Sequence, residues 1–313
     1  MINQNSKIYI AGHKGMVGSA CLRLFQLRGY KNIIFKTSKE LDLRNQIAVN
    51  SFFEEQKPDA VIIAAARVGG IHANNIYGYD FLIDNLQIQN NLISACGKNN
   101  VIKVIFLGSS CIYPKMAPQP LKEEYLLTGS LEETNQWYAI AKIAGVKSIQ
   151  ALNKYKNKKY VSLMPTNLYG QNDNYDLNNS HVLPALIRKF HEAKFNNQSK
   201  VVLWGSGEPL REFLFVDDLA EAILFSLVNN LDSDLYNVGS GHEISIKDLA
   251  IMIQQIIGHN GEVVWNKKMP NGTPRKILDS SKLNLMGWFH KIDLKTGIKK
   301  VYDHLSINKF HFN

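Results

Sequence analysis

An apolar run, Lys7-Ile8-Tyr9-Ile10-Ala11, opens directly into Gly12-His13-Lys14-Gly15-Met16-Val17-Gly18, and residues 19–28 then carry a helical pattern. No other stretch limits the fold as much. A buried strand, a glycine turn and a helix in that order form the entry to a dinucleotide-binding unit. The glycines let the backbone approach a pyrophosphate, which sits at the helix N-terminus. The spacing is G-x-x-G-x-x-G rather than G-x-G-x-x-G, so its weight comes from the strand and helix on either side. Strand patterns at 32–35, 60–65, 104–108 and 160–164 alternate with helical patterns at 45–56, 81–98 and about 134–155. This alternation predicts an α/β, Rossmann-type doubly wound parallel sheet with right-handed crossovers. After Gly170 the composition turns polar and rich in Asn. We divide the chain into a cofactor domain, 1–170 with a returning segment at about 212–242, and a smaller α/β substrate domain, 171–211 and 243–313.

Two stretches carry chemistry. The apolar run 104–107 ends in Gly108-Ser109-Ser110-Cys111-Ile112-Tyr113-Pro114, and Tyr138-Ala139-Ile140-Ala141-Lys142 lies in a helical pattern. Residues four apart on a helix share a face. A phenol is a poor acid near neutrality, and an adjacent ammonium lowers its pKa. With a hydroxyl from Ser109 or Ser110 at the strand end, the pair can hold and protonate a carbonyl oxygen as hydride arrives. A Tyr and a Lys four apart also occur by chance on many surface helices; position after a strand-end serine and a glycine turn is what singles this pair out. At the end of the second strand, an NAD site usually has an acid for the ribose 2′-hydroxyl. This chain has Lys36-Thr37-Ser38-Lys39 there. Two cations and two hydroxyls suit a 2′-phosphate, so NADPH is expected over NADH, with Asp42 near the adenine.

The net charge of +9 over 313 residues invites a nucleic-acid reading, but the lysines are scattered and only 154–159 is dense. That run reads as a solvated helix end. Three cysteines without C-x-x-C spacing suggest neither disulfides nor a metal site. No membrane span or leader segment is evident, and a reducing cytoplasm is expected.

The chain resembles the extended short-chain dehydrogenase/reductase family over nearly its whole length. Within that family it is similar to the branch that carries out 3,5-epimerisation and 4-reduction of GDP-4-keto-6-deoxy-D-mannose. The motifs are A-G-H-K-G-M-V-G-S-A (11–20), V-G-G-I-H-A-N-N (68–75), L-G-S-S-C-I-Y-P-K (107–115), Y-A-I-A-K-I-A-G (138–145), M-P-T-N-L-Y-G (164–170), S-H-V-L-P-A-L-I-R-K-F-H (180–191), W-G-S-G-E-P-L-R-E-F-L (204–214) and G-T-P-R-K (272–276). The resemblance implies Ser109, Tyr138 and Lys142 as a reductase triad, and Cys111 with His181 as an epimerase pair acting beside the 4-keto group. It implies cofactor contacts from Gly12, His13, Lys14, Gly15, Met16, Val17, Gly18, Lys36, Ser38, Leu107, Gly108, Ser109, Ser110, Lys142, Pro165, Thr166, Asn167, Leu168 and His181. For the GDP-sugar it implies Lys189, Trp204, Arg211 and Asn271, the last standing where relatives carry an acid. Ser38 replaces a common arginine, Arg67 a common lysine and Phe215 a usual histidine; Gln136-Trp137 stands for a frequent Glu-Pro, and Trp137 is expected to reshape the sugar pocket. A homodimer is implied, through a four-helix bundle of the helices at about 80–98 and 134–155. Rival readings are an enzyme for a related GDP-4-keto sugar (a 6-deoxy-heptose or a 3,6-dideoxy-hexose), a plain 4-reductase, and a non-catalytic nucleotide sensor.

Overall fold

The computed structural model describes residues 2–177, 179–269 and 271–307. The order of elements is β1 (Ile8–Ala11), α1 (Met16–Leu27), β2 (Ile33–Ile34), α2 (Gln46–Gln56), β3 (Ala60–Ile63), α3 (Ile71–Ile76), α4 (Gly78–Lys98), β4 (Lys103–Leu107), α5 (Gln136–Lys156) and β5 (Val161–Pro165). There follow β6 (Asn167–Tyr169), α6 (Val182–Phe195), β7 (Lys200–Trp204), β8 (Leu210–Phe215), α7 (Val216–Val228), β9 (Leu235–Val238), β10 (Glu243–Ser245), α8 (Ile246–Ile257), β11 (Glu262–Asn266), β12 (Arg275–Lys276), α9 (Ser281–Leu285) and α10 (Leu294–Ile307).

The main sheet has the order β2-β1-β3-β4-β5-β9 and every pairing in it is parallel, so the expected doubly wound sheet is present. Its strands read as unbroken apolar runs because both faces are covered. Successive residues alternate between two cores. Tyr9, Val61, Val104 and Phe106 pack toward α2, α4 and α5, while Ile8, Ile10, Ile62 and Ile105 pack toward α1 and α7. The strands β2 and β3 flank β1, so the chain leaves β1 in opposite directions. This leaves a crevice at the carboxyl end of β1, where such sheets bind ligands.

A second unit has its own core around Tyr169, Phe190, Phe213, Phe215, Ile253 and Ile298. It holds β10, β8 and β12 in one sheet, with β6 on β8, and a separate parallel pair β7–β11. The helix α8 starts as its sequence suggests: the Ser245 hydroxyl accepts the Asp248 amide at 3.0 Å. Among the described residues no helix is long and apolar enough to cross a membrane.

Candidate active site

The strand β1 gives way at once to Gly12, whose φ of +89° favours glycine. A Cβ there would lie 2.7 Å from the Ala65 amide nitrogen, just beyond β3. A Cβ on Gly18 would lie 2.2 Å from the Gly12 carbonyl oxygen, so α1 closes tightly on the turn. Gly15 differs: its Cβ would meet only that oxygen, at 3.5 Å. It caps α1 with no side-chain partner, and α1 has no acid in its first turn. The helix N-terminus, with exposed Lys14 beside it, fits an anion such as a pyrophosphate. The helix begins at Met16, three residues earlier than the sequence pattern suggests, so Met16, Val17 and Gly18 belong to its first turn. His13 is buried and stacks on Phe35, ring centroids 4.6 Å apart; burial and Lys14 hold its imidazole below the usual range.

Beyond β2, Lys36, Ser38 and Lys39 are exposed. Glu40 does not oppose them freely. Its carboxylate accepts the Thr37 amide and hydroxyl, each at 2.7 Å, as a one-turn capping box, and lies 4.0 Å from Lys36. The ammonium and the serine hydroxyl therefore face solvent and fit a 2′-phosphate. Asp42 is held by Arg44, which donates to it at 3.0 Å and reaches Asp84 at 3.3 Å. Arg67 continues this ladder, pairing with Asp84 at 2.8 Å and Asp80 at 3.2 Å. The loop that follows β3 is pinned at its start: Asn85 also exchanges hydrogen bonds with the Arg67 backbone at 2.8 and 2.9 Å.

At the end of β4, Gly108 leaves room for the Met164 side chain, whose methyl would lie 2.1 Å from a Cβ. Ser109 then caps a single 3-10 turn, Ser110–Ile112, and its Oγ accepts the Cys111 amide at 3.2 Å. That contact uses an oxygen lone pair and leaves the hydroxyl proton free to donate. Ser109 is in hydrogen-bond contact with Tyr138. Tyr138 packs edge-on against Phe81, centroids 6.5 Å apart. Lys142 is buried; its Nζ donates to the Leu107 carbonyl at 2.9 Å and stands 5.8 Å from the centre of the Tyr138 ring.

Burial dominates both titrating groups of the Tyr138–Lys142 pair. Burial pushes the phenol up, Cys111 adds to the rise, and the Ser109 contact only moderates it. Lys142 is itself pushed down to about 8 by burial. The phenol therefore carries its proton at neutral pH, the state a proton donor needs.

Cys111 is the half-exposed thiol; Cys21 and Cys96 are buried. Two donors reach its sulfur, Asn135 Nδ2 at 3.4 Å and Lys276 Nζ at 3.5 Å. His181 caps α6 by position, without a side-chain cap bond. The residue as a whole is exposed, yet desolvation of its imidazole and the nearby Lys276 lower its pKa below the usual range. Neither Lys276 nor Asn135 was singled out from the sequence. The G-T-P-R-K motif contains Lys276, but its nearness to Cys111 depends on β12 pairing with β8 far along the chain.

The remaining cofactor candidates lie at the end of β5. The Thr166 amide donates to Val238 O at 3.0 Å, and Asn167 Nδ2 donates to the Glu212 carbonyl at 2.7 Å. Pro165 ends β5 and Leu168 lies in β6. Leu107 and Ser110 are buried beneath the turn.

The GDP-sugar candidates lie in the second unit. Lys189 Nζ sits 5.7 Å from the Trp204 ring, which is 55% exposed. Asn271 turns toward the 204–207 turn, its Oδ1 accepting the Ser206 amide at 2.7 Å. Arg211 gives one N–H to the Leu210 carbonyl at 2.8 Å and keeps the rest of its fork. Arg211 faces Lys276 in the β8–β12 register. Arg211 and Lys276 thus stand side by side, and Lys276 reaches Cys111. Trp137 packs its indole against Gly78 at the start of α4, where a Cβ would lie 2.5 Å away. The polar 171–180 loop is tied down at both ends: Asn172 donates to Ser19 Oγ at 3.0 Å, and the Gly70 amide donates to Asn179 O at 2.9 Å.

Residues 8–239 match the model of the NAD dependent epimerase/dehydratase family. The chain is 55% identical to a putative GDP-L-fucose synthase 2 of Arabidopsis thaliana, over 97% of this chain and 92% of that protein. It is 47% identical to the GDP-L-fucose synthase of Escherichia coli K12, over 98% of each. Among solved structures it is similar to a GDP-mannoheptose C4 reductase from Campylobacter jejuni with NADP bound, at 41% identity and a TM-score of 0.91, covering 98% of this chain and 100% of that one.

Proposed function

Because the chain belongs to the NAD dependent epimerase/dehydratase family, we propose that it is an NADPH-dependent enzyme converting GDP-4-keto-6-deoxy-D-mannose to GDP-L-fucose. It does so by epimerising C3 and C5 and then reducing C4. One observation carries this reading: the 3-10 turn after β4 presents Ser109 toward Tyr138 and Cys111 toward Lys276. A sugar held by its C4 oxygen at Ser109 and Tyr138 therefore has its flanking carbons beside a thiol.

The chemistry follows from the ketone. Hydrogens at C3 and C5 are acidic because the 4-keto group accepts the electron pair as an enolate. Cys111 and His181 serve as the epimerising pair on the two faces of the sugar. Ser109 and Tyr138 hold the C4 oxygen throughout and stabilise charge on it. NADPH supplies the hydride to C4 when bound. Tyr138 then gives its phenolic proton to the oxygen, and Lys142, with N–H groups beyond the one on Leu107, holds the nicotinamide ribose. Reduction removes the ketone, so it comes last. The cofactor rests on Gly12 to Gly18, with Lys36 and Ser38 at the 2′-phosphate and Leu107 to Ser110 and Pro165 to Leu168 along the nicotinamide half. Lys189, Trp204, Arg211 and Asn271 hold the GDP.

The test uses NADPH and GDP-4-keto-6-deoxy-D-mannose in D₂O. NADPH oxidation with enzyme-dependent deuterium at C3 and C5 of GDP-L-fucose is expected. Oxidation without deuterium would instead favour a plain C4 reductase, the activity named for the similar heptose enzyme.

The proposal extends to assembly and location. The helices α4 and α5 lie side by side and carry exposed Tyr79, Trp137 and Ile140. A second copy covers them in a four-helix bundle; light scattering that reports a monomer at working concentration would remove this claim. Three free thiols suit the cytoplasm.

A further inference from the structure

The sulfur of Cys111 lies among donors. Asn135 Nδ2 and Lys276 Nζ reach it from two segments, at 3.4 and 3.5 Å. The backbone places them there: Cys111 sits on the turn after β4, Asn135 immediately precedes α5, and Lys276 is on β12, hydrogen-bonded to β8. The orientation of Asn135 is informative. With its nitrogen toward the sulfur, its Oδ1 is buried without a partner. A neutral thiol would do better with the amide reversed, donating S–H to that oxygen. Two N–H donors converging on one sulfur match a thiolate, which accepts only.

The other groups facing this sulfur are the Tyr138 phenol on α5, which keeps its proton, and the Ser109 hydroxyl. Lys276 also faces His181, at the start of α6, and opposes a second positive charge there. The cation is thus matched by the sulfur and not by an imidazolium.

We propose that Lys276 and Asn135 form a two-donor cradle that holds Cys111 as a thiolate, making both of them positioning residues for the epimerising step. This deepens the reading above and rests on it for the role of the thiolate. In that step the sulfur forms an S–H bond with the proton of the C–H bond beside the ketone, and the C–H electron pair moves onto the C4 oxygen as an enolate. The cradle raises the fraction of Cys111 able to do this at neutral pH.

The experiment reads the thiol directly. Full-length protein is alkylated with iodoacetamide between pH 5 and 9.5, and the Cys111 peptide is followed by mass spectrometry. Burial pushes the Cys21 thiol up to about 12 and Cys96 higher still, so neither competes. Lys276→Met should change the alkylation profile so that labelling at pH 7 slows about tenfold. Lys276→Arg should restore the wild-type profile, and Asn135→Ala should give a smaller slowing. NADPH binding, followed by fluorescence, should stay the same in all three, which rules out a general collapse. Should Lys276→Met fail to fold, Lys276→Gln and Asn135→Ala carry the test. Superimposable profiles for wild type and these variants would overturn the cradle. A wild type that shows the Lys276-dependent profile but no deuterium exchange would instead overturn the sugar assignment.

Discussion

Two glycines three residues apart in the first turn should fail in different ways. In Gly18→Ala the new methyl lies 2.2, 2.6 and 2.8 Å from Gly12 O, Gly12 C and His13 Cα, all backbone atoms that cannot rotate away. Overpacking of this kind costs about 3 kcal/mol, the upper end of the usual range. Alanine's helix propensity returns about 1 kcal/mol. The net loss of about 2 kcal/mol lowers the Tm of a chain this long by about 4 °C. In Gly15→Ala the methyl meets only Gly12 O, at 3.5 Å. The cost is the poorer helix cap, under about 1 kcal/mol, and the Tm stays within about 2 °C. That methyl, however, stands where a phosphate oxygen must approach the α1 amides. Its NADPH Kd should rise at least about tenfold, or about 1.4 kcal/mol. Thermal melts of the free proteins and fluorescence titration with NADPH separate the two effects. A Gly18→Ala protein melting at or above wild type, or a Gly15→Ala protein binding NADPH normally, would refute the reasoning.

Other outcomes follow from the same geometry. Tyr138→Phe should cut NADPH oxidation by roughly 10²–10⁴-fold yet leave slowed deuterium exchange at C3 and C5 measurable by NMR, because Ser109 still holds the C4 oxygen while reduction has lost its proton donor. Lys142 is held down to about 8, so NADPH oxidation should fall as pH rises through that value and the ammonium is lost; in Lys142→Arg, whose guanidinium stays charged, this alkaline limb should disappear from the pH profile of whatever activity remains. Lys36→Ala should weaken NADPH binding about five- to tenfold, the worth of about 1 kcal/mol at an exposed site, and leave NADH binding unchanged in parallel titrations.

What the sequence made legible was local. β1, the glycine turn and α1 adjoin one another, as do β4 and Ser109, and Tyr138 and Lys142 share one helix. Each needs only a short stretch and its periodicity to be recognised. Misplaced helix starts have a local cause as well: α1 begins at Met16 and α4 at Gly78, and glycine inside or at the edge of a helix masks the pattern. The strands β6, β10, β11 and β12 carry no signal in the sequence and are two to five residues long. Their existence depends on partners far away. Lys200 pairs with Glu262, and Arg211 with Lys276, about sixty-five residues apart. For the same reason Lys276 could not be connected with Cys111 from spacing.

The strand β8 shows how those long-range pairings assemble the site. Arg211 lies beside Lys276 in the β8–β12 register. Its neighbour Glu212 is fully buried, and its two carboxylate oxygens accept the amides of Gly241 and Leu278 at 2.7 and 3.0 Å. The Glu212 carbonyl accepts Thr166 Oγ1 at 3.3 Å and Asn167 Nδ2 at 2.7 Å. One residue therefore ties the segment after Lys276 to the segment at the end of β5 on the cofactor side. Burial raises the Glu212 pKa, while the amide donors favour its charged form. A carboxyl spans both amides at once, and an apolar side chain of similar size would leave the buried Leu278 N–H and the partly buried Gly241 N–H without that partner. The position of Lys276 relative to Cys111, Ser109 and Tyr138 thus depends on its pairing with β8.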